Sequence, residues 1–173
     1  MNGLTGRRAQ LAALIRQYQR DTDAFDQAVA ERAGINRTDL RCLDLLFELA
    51  LAGRGTTPGR LVEASGLTPS TITSVLDRLE RAGYVRRVRD QENRRQVFVQ
   101  LTAEFAALTA EIFGPVVEEA AVQLEQFSDH EVDVLIRFFA DGHDRRVKRT
   151  ALLREQTARL AAPDPARGPK ETT

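Results

Sequence analysis

The chain has 173 residues, of which 42% are hydrophobic and 29% charged, a balance typical of a soluble globular protein. Its 25 lysines and arginines equal its 25 aspartates and glutamates, so the net charge predicts no partner. One cysteine excludes an intrachain disulfide and indicates a reducing compartment, and the apolar run at residues 11–15 is too short for a signal peptide or a membrane span. We therefore expect a cytoplasmic protein with no membrane partner.

The first third of the chain is predicted to form two helices. Apolar residues at helical spacing from Leu11 to Val29 predict a long first helix, for which Gly34 offers a C-terminal cap. Asn36 can cap a second helix, with Asp39 near its positive end. The buried stripe of that helix is predicted to consist of Leu40, Leu43, Leu46, Phe47 and Leu51.

Two Thr-Pro pairs predict the starts of the next two helices. Thr57 would cap a short helix that ends at Gly66, and Thr68 would cap a helix that continues to about Ala82 and is closed by Gly83. Two helices joined by a short turn that contains glycine form a helix-turn-helix. The second helix is predicted to face the core with Ile72, Val75, Leu76 and Leu79. The exposed positions are predicted to be Ser70, Thr71, Thr73, Ser74 and Arg78, mostly small hydroxyl residues that can approach base edges or phosphates closely.

A β-hairpin with a basic tip is predicted to follow the helix-turn-helix. Residues 84–89 and 96–101 are expected to be strands, because Val97, Val99 and Leu101 alternate with Phe98 and Gln100. Between Arg54 and Arg95 there are nine arginines and five acids, a local excess of four (9 − 5). This excess indicates phosphate contact. An arginine-rich solvated hairpin is the alternative interpretation.

The remainder is predicted to be helical. Thr102 would cap a helix that reaches about Phe127 and contains Pro115, a kink candidate. Ser128 and Glu131 have the spacing of a capping box, and the last helix would continue through Val147 towards Leu153. Residues 162–173 are rich in proline and polar residues and are predicted to be disordered.

The predicted fold class is mainly α with a small β-wing (α+β). It comprises a winged helix-turn-helix at residues 36–102 and dimerisation helices at residues 1–35 and 103–155. The long amphipathic end helices would leave an apolar stripe in water unless a second copy covered it. A monomeric bundle of folded-back helices is the alternative.

The segment LTPSTITSVLDRLERAGYVRRVRDQENRRQVFVQLT, residues 67–102, resembles the recognition helix and wing of the MarR family of bacterial transcription regulators. The resemblance includes the Leu-x-x-x-Gly-Tyr-Val exit and the terminal Leu-Thr, covers about residues 37–102 closely, and extends to the flanking helices in architecture only. Two departures stand out. Asn93-Arg94-Arg95 replaces the family's Asp-Arg-Arg, and residues 103–107 lack the glycine that often follows Leu-Thr, which predicts an uninterrupted helix.

The resemblance implies a DNA-binding regulator, expected to be a repressor, that binds a pseudo-palindromic operator in double-stranded DNA as a homodimer. The predicted DNA contacts are Thr68, Ser70, Thr71, Thr73, Ser74, Arg78, Arg94 and Arg95. Asn93 and Asp90 are predicted to support the wing, and Arg95 would enter the minor groove. A winged-helix module that binds an acidic protein is the alternative function.

The resemblance also implies a small-molecule effector site where the long helices meet the winged domain. The candidates are Tyr18, Phe25, Arg41 and Phe47, with ordinary core packing as the favoured alternative.

Other chemistry finds little support in the sequence. Cys42 is interpreted as a buried hydrophobe rather than a redox sensor, and residues Asp141 to Asp144 as solvent-exposed polar residues rather than a metal site. No phosphate-binding glycine loop or nucleophile motif occurs, so we predict no enzyme, no metal and no cofactor.

Overall fold

A computed structural model describes residues 5–53, 55–90 and 96–161 as six helices and two strands. In chain order they are α1 (Gly6–Arg32), α2 (Arg37–Leu51), α3 (Pro58–Ser65), α4 (Pro69–Arg81), β1 (Val85–Arg89), β2 (Val97–Leu101), α5 (Ala103–Leu124) and α6 (Asp129–Ala161). The chain divides into two compact units, and the boundary lies within α5 between residues 116 and 117. The predicted fold class and element order are confirmed for these residues.

Side-chain caps start α2, α3, α4 and α5 as predicted. The side chain of Asn36 accepts the Asp39 N–H at the start of α2, and Thr57 and Thr68 cap α3 and α4, each followed by proline. Thr102 accepts the Phe105 N–H at 3.2 Å, and α5 then continues without interruption from Ala103. These caps satisfy N–H groups that have no partner within the helix, which is why the sequence located the helix starts so closely.

The main core of the first unit lies among α2, α3, α4, the two strands and the start of α5. Its buried members are Cys42, Leu43, Leu46, Leu61, Ile72, Val75, Leu76, Leu79, Val85, Val99 and Phe105. Each fully buried aliphatic side chain contributes about 1.5–3 kcal/mol to the free energy of unfolding. This core fixes the recognition helix against its scaffold.

Two residues predicted to lie in the buried stripe of α2 are exposed instead. Phe47 is 41% exposed and Leu51 is 73% exposed. Leu43, Phe47 and Leu51 follow one another at intervals of four residues, which is slightly more than one helical turn. Phe47 and Leu51 therefore lie progressively further around the helix from the buried stripe of Leu43 and Leu46. Phe47 makes only an edge contact with Phe105, with ring centroids 6.3 Å apart.

A second cluster joins the C-terminal half of α1 to α2 and to the middle of α5. Val29, Ala30 and Leu40 are buried there, with Ile112 and Phe113 packed against them. Ion pairs surround this cluster at the surface: Arg37 to Asp26 at 3.3 Å and Arg32 to Glu111 at 2.9 Å. The end of α1 is therefore part of the same packed unit as the helix-turn-helix.

The wing is a two-stranded antiparallel sheet in which Val85 pairs with Leu101 and Arg89 pairs with Val97. The loop before α3 extends this sheet, since the Val99 N–H donates to the Thr56 carbonyl at 2.7 Å. A Cβ atom at Gly55 would lie 2.8 Å from the Phe98 ring, so a larger residue there would have to displace that ring. The predicted wing residues Asn93, Arg94 and Arg95 lie outside the described residues.

The second unit consists of the C-terminal end of α5 and the long helix α6. Ser128 and Glu131 form the predicted capping box, with the Ser128 hydroxyl donating to the Glu131 carboxylate at 2.6 Å. Many large apolar side chains of α6 are exposed: Val134, Ile136, Phe138, Phe139, Val147, Leu152, Leu153 and Leu160. None of the helices in the described part of the chain is both long and apolar enough to cross a bilayer. The tail predicted to be disordered, residues 162–173, lies outside the description.

Candidate nucleic-acid interface

The outer face of α4 carries small hydroxyl side chains near its N-terminus. Ser70, Thr73 and Ser74 are exposed, as predicted. Thr71 and Arg78 are only partly exposed, in contrast to the prediction. Seven residues separate these two, so they share one flank of the helix, and this is the flank on which Arg78 reaches α2.

The hydroxyl groups on this face are held by local hydrogen bonds. Thr73 and Ser74 donate to the carbonyls of Pro69 and Ser70 at 3.0 and 3.1 Å. Thr68, the cap, shares hydrogen bonds with the hydroxyls of Ser70 and Thr71 at 3.0 and 2.8 Å. Because Thr73 and Ser74 donate back to the helix, their oxygen lone pairs face outwards and can accept from amino groups on base edges.

The guanidinium of Arg78, whose side chain is 38% exposed, is hydrogen-bonded to a buried carboxylate of α2. Its Nε and Nη2 atoms donate to the two carboxylate oxygens of Asp39 at 2.9 and 2.6 Å. Asp39 is 1% exposed and also accepts from the Asn36 side chain at 2.9 Å. The hydrogen bond to Asp39 raises the pKa of Arg78 above its ordinary value. The sequence did not reveal this pair, because the partners are 39 residues apart.

A second arginine joins the wing to the recognition helix. Arg87 of β1 donates to Asp77 and to Glu80, in both cases at 2.6 Å, and its backbone N–H donates to Glu80 at 3.0 Å. The three side chains form what we call the wing clamp. It ties the base of the wing to the C-terminal half of α4 and compensates charge that would otherwise repel phosphate.

Further arginines are exposed at this surface. Arg81 lies at the end of the α4 face, seven residues after Ser74, and sequence reasoning did not single it out. On β1, Arg86 and Arg89 are exposed, and Arg86 donates to the Gln100 side chain at 3.1 Å. The Asp90 N–H donates to the Gln96 carbonyl at 3.0 Å, which extends the hairpin one step beyond the last strand pair. The roles predicted for Asn93, Arg94 and Arg95 stay predictions.

The four residues predicted to line an effector site are dispersed along α1 and α2. Tyr18 is 73% exposed and Arg41 is exposed. Phe25 packs edge-on against Phe113 at 5.7 Å, whereas Phe47 contacts Phe105. A shallow cavity of about 460 Å³ in the described part lies elsewhere, between the end of α2 and β2, and none of the four lines it.

Cys42 lies in the main core. Burial, followed by the charge of Asp39, raises the pKa of its thiol to about 11. A thiol of this kind is almost entirely protonated at neutral pH and is a poor nucleophile.

Within the described residues, no group of three or more histidine, cysteine, aspartate or glutamate side chains could hold a metal ion.

Comparison with known proteins adds to this geometry. The sequence profile of the MarR family matches residues 33–96. The chain is 34% identical over 132 residues to the uncharacterized HTH-type transcriptional regulator YcgE of Bacillus subtilis, covering 76% of this chain and 82% of YcgE. It is 29% identical over 112 residues to the HTH-type transcriptional repressor YetL of the same organism, covering 65% and 66% respectively.

Solved structures show the same fold. A MarR family protein from Bacillus stearothermophilus has 26% sequence identity and a TM-score of 0.58, covering 83% of this chain and 99% of that one. The MepR–DNA complex of S. aureus is similar in fold, with a TM-score of 0.54 at 19% identity, covering 84% of this chain and 98% of that one.

Proposed function

Because the chain belongs to the MarR family of DNA-binding transcriptional regulators, which are not enzymes, we propose that it is a homodimeric repressor released by a small molecule. Its target would be a pseudo-palindromic operator in double-stranded DNA. The observation that carries the proposal is the exposed hydroxyl face of α4, fixed to an arginine-bearing wing by the Arg87 clamp. Such a face and wing can enter adjacent grooves of one duplex.

In the proposed complex, α4 lies in the major groove. Ser70, Thr73 and Ser74 would contact base edges or phosphates. At the N-terminus of the helix, the hydroxyls of Thr68 and Thr71 would face the phosphate backbone of the DNA. Arg94 and Arg95 would enter the flanking minor groove, where narrow A·T-rich DNA attracts guanidinium groups. Asp90 and Asn93 would support the wing.

The proposed dimer follows from apolar surface that a single chain leaves in water. Leu11, Leu14 and Tyr18 of α1 are exposed, as are the large apolar residues of α6 described above. Exposed large apolar side chains along a helix mark an interaction site, and closed two-fold dimers are the commonest assembly. Two copies would hold two recognition helices about 34–36 Å apart, one turn of B-DNA.

Repression and release rest on separate observations. The relative YetL is named a repressor. An effector could bind near Tyr18, Phe25, Arg41 and Phe47, since these residues lie on α1 and α2, where the proposed dimerisation helix meets the winged domain. Such a ligand would act by favouring dimers whose recognition helices have a different separation.

Selection of bound sequences from random duplex DNA tests the proposal. We expect enrichment of an inverted repeat whose half-site centres lie about 10–10.5 base pairs apart. The affinity for the selected operator should fall steeply with salt, because each neutralised phosphate contributes a slope of about −0.9. No enrichment, together with no shift of any duplex in an electrophoretic mobility assay at low salt, would contradict the proposal and favour a protein-interaction module.

A further inference from the structure

Two polar contacts connect the recognition helix and its exit to one short segment, residues 33–39, which we call the α1–α2 turn. The Arg78 guanidinium reaches Asp39 at one end of this segment, and the Tyr84 hydroxyl donates to the Ala33 carbonyl at the other, at 3.0 Å. We propose that Asp39, Arg78 and Tyr84 are positioning residues that fix the orientation of α4 relative to α1, and that Arg78 does not contact DNA.

The contact between Arg78 and Asp39 restricts rotation of α4 about its axis. Both carboxylate oxygens are occupied by the planar fork of the guanidinium, and Asn36 supplies a further donor. A forked contact of this kind fixes orientation as well as distance, unlike a single ion pair. Asp39 is 1% exposed, so these donors, rather than water, compensate its carboxylate.

The contact between Tyr84 and Ala33 holds the other end of the helix. Ala33 is the C-cap of α1, and carbonyls at a helix C-terminus lack partners within the helix. The backbone N–H of Tyr84 donates to the Leu79 carbonyl at 3.0 Å, so the ring follows directly after the end of α4. The phenol therefore links the exit of the recognition helix to the end of α1.

Tyr84 reaches the end of α1, and Arg78 reaches the first turn of α2, which follows α1 after a short connection. The proposed dimer places α1 at the interface, and to this extent the inference rests on the proposed function. If α1 is held by the partner copy, the α1–α2 turn sets where each recognition helix points. Loosening either contact would then let the two helices occupy a range of separations. Affinity for the operator should fall, and discrimination between half-site spacings should fall with it.

The variant Asp39→Asn separates a positioning role from direct DNA contact by the sign of its effect. It removes a negative charge and releases Arg78. If Arg78 contacted DNA, affinity for the selected operator would stay the same or increase. If the pair positions α4, affinity should decrease, on the order of ten-fold. Glu48→Gln, which removes the same charge from the exposed side of α2, is the matched control and should leave affinity within about two-fold.

The variant Arg78→Gln provides a second measurement. We expect weaker operator binding with an unchanged slope of log affinity against log salt, because no phosphate contact is lost. A slope reduced by about one would show that Arg78 neutralises a phosphate and would overturn the inference.

Tyr84→Phe removes only the hydroxyl and is the variant least able to disturb folding. We expect about a three-fold loss of operator affinity, the size of one hydrogen bond. We also expect a smaller penalty than in the wild type when one base pair is inserted between the half-sites. Circular dichroism and urea unfolding check that the variant is folded. An unchanged spacing penalty in folded Tyr84→Phe would overturn the inference.

The wild-type control separates this inference from the proposed function. If the wild type binds no operator, the proposed function fails and the inference fails with it. If the wild type binds a two-fold operator and Asp39→Asn binds equally well or more tightly, only the inference fails.

Discussion

Arg87 shows how one side chain can join the wing to α4. Its guanidinium contacts Asp77 and Glu80, which lie three residues apart on α4, and it stands on the first strand of the wing. The contact is partly shielded from solvent, with the Arg87 side chain 27% exposed. A shielded network of three charges is stronger than an isolated surface ion pair.

Replacing Arg87 by alanine should lower the free energy of unfolding by about 1 kcal/mol, because Asp77 and Glu80 lose their counter-charge. Affinity for the selected operator should also decrease, since the wing is no longer fixed to α4. Urea unfolding and fluorescence anisotropy measure the two effects. Arg86→Ala, on the opposite face of the same strand, is the control and should change stability less. Equal stability losses in the two variants would contradict a special role for Arg87.

Asp44 is a carboxylate whose ionisation the fold opposes. Partial loss of solvation, followed by the charges of Asp26 and Glu48, raises the pKa of Asp44 from 3.8 to about 6, although Arg37 acts in the opposite direction. Between these two pH values the folded protein binds more protons than the unfolded chain, so the contribution of Asp44 to stability falls as the pH rises.

Asp44→Asn should therefore stabilise the protein at pH 7.5 and have little effect near pH 4. The gain should be a few tenths of a kcal/mol, because the side chain is exposed and solvent screens its interactions. Urea unfolding of both proteins across this pH range tests the sign. A stability difference that does not change with pH would mean that Asp44 titrates normally.

At the scale of elements, the recognition helix is defined at both ends by local chemistry. Thr68 and Pro69 start it, and Gly83, with a φ angle of +83°, turns the chain towards the wing. The left-handed conformation costs a residue with a Cβ roughly 1–2 kcal/mol, whereas glycine adopts it freely. The angle between α4 and the wing therefore depends on this glycine as well as on the wing clamp.

Gly83→Ala should destabilise the protein by about 1 kcal/mol through backbone strain, because, apart from its chain neighbours, no atom of the described residues lies within 4 Å of the new Cβ. Gly142→Ala is a control with the opposite sign. Gly142 lies inside α6, also with no atom within 4 Å, and alanine there should add up to about 1 kcal/mol. Thermal and urea unfolding measure both changes. A loss of stability in both variants would mean that the two sites are more closely packed than the single chain shows.

At the scale of the whole molecule, the exposed apolar side chains of α6 bear on the proposed dimer. Phe139 is 63% exposed and Leu153 is 49% exposed, both on α6. The helix is capped at its start by Ser128 and Glu131, and none of its described side chains is buried. Its exposed apolar residues are explained if a second copy covers them.

Replacing both Phe139 and Leu153 by glutamate should convert a dimer into monomers, since each contact would bury a charge. In sedimentation velocity, the wild type should have twice the mass of the chain and the double variant the mass of one chain. Operator affinity should fall far more than half-site affinity. Gln156→Glu, which adds charge at an exposed polar position of α6, should remain dimeric. A wild type that sediments as a single chain would contradict the dimer.

The local features of this protein were predictable from its sequence. Residues such as Asn36, Thr57, Thr68 and Gly83 act on their immediate neighbours through a few hydrogen bonds or one dihedral angle, so the order and ends of the elements followed directly. The hydroxyl face of α4 followed from the helical period. The MarR resemblance rested on residues 67–102, which include that face.

Contacts between distant segments required the tertiary structure. Nothing near Arg78 in the chain indicates that it turns away from the open face to Asp39, or that Tyr84 reaches Ala33. Helical periodicity predicted that Phe47 and Leu51 are buried. How much of the α2 surface is covered depends instead on how α5 and β2 pack against it, and both residues are exposed. The sequence by itself determined which helices and strands form, because capping and hydrophobic period act over a few residues. Only the folded chain decided which arginines are held in ion pairs and which stay exposed, because ion pairing depends on which charged groups the packing of helices brings together.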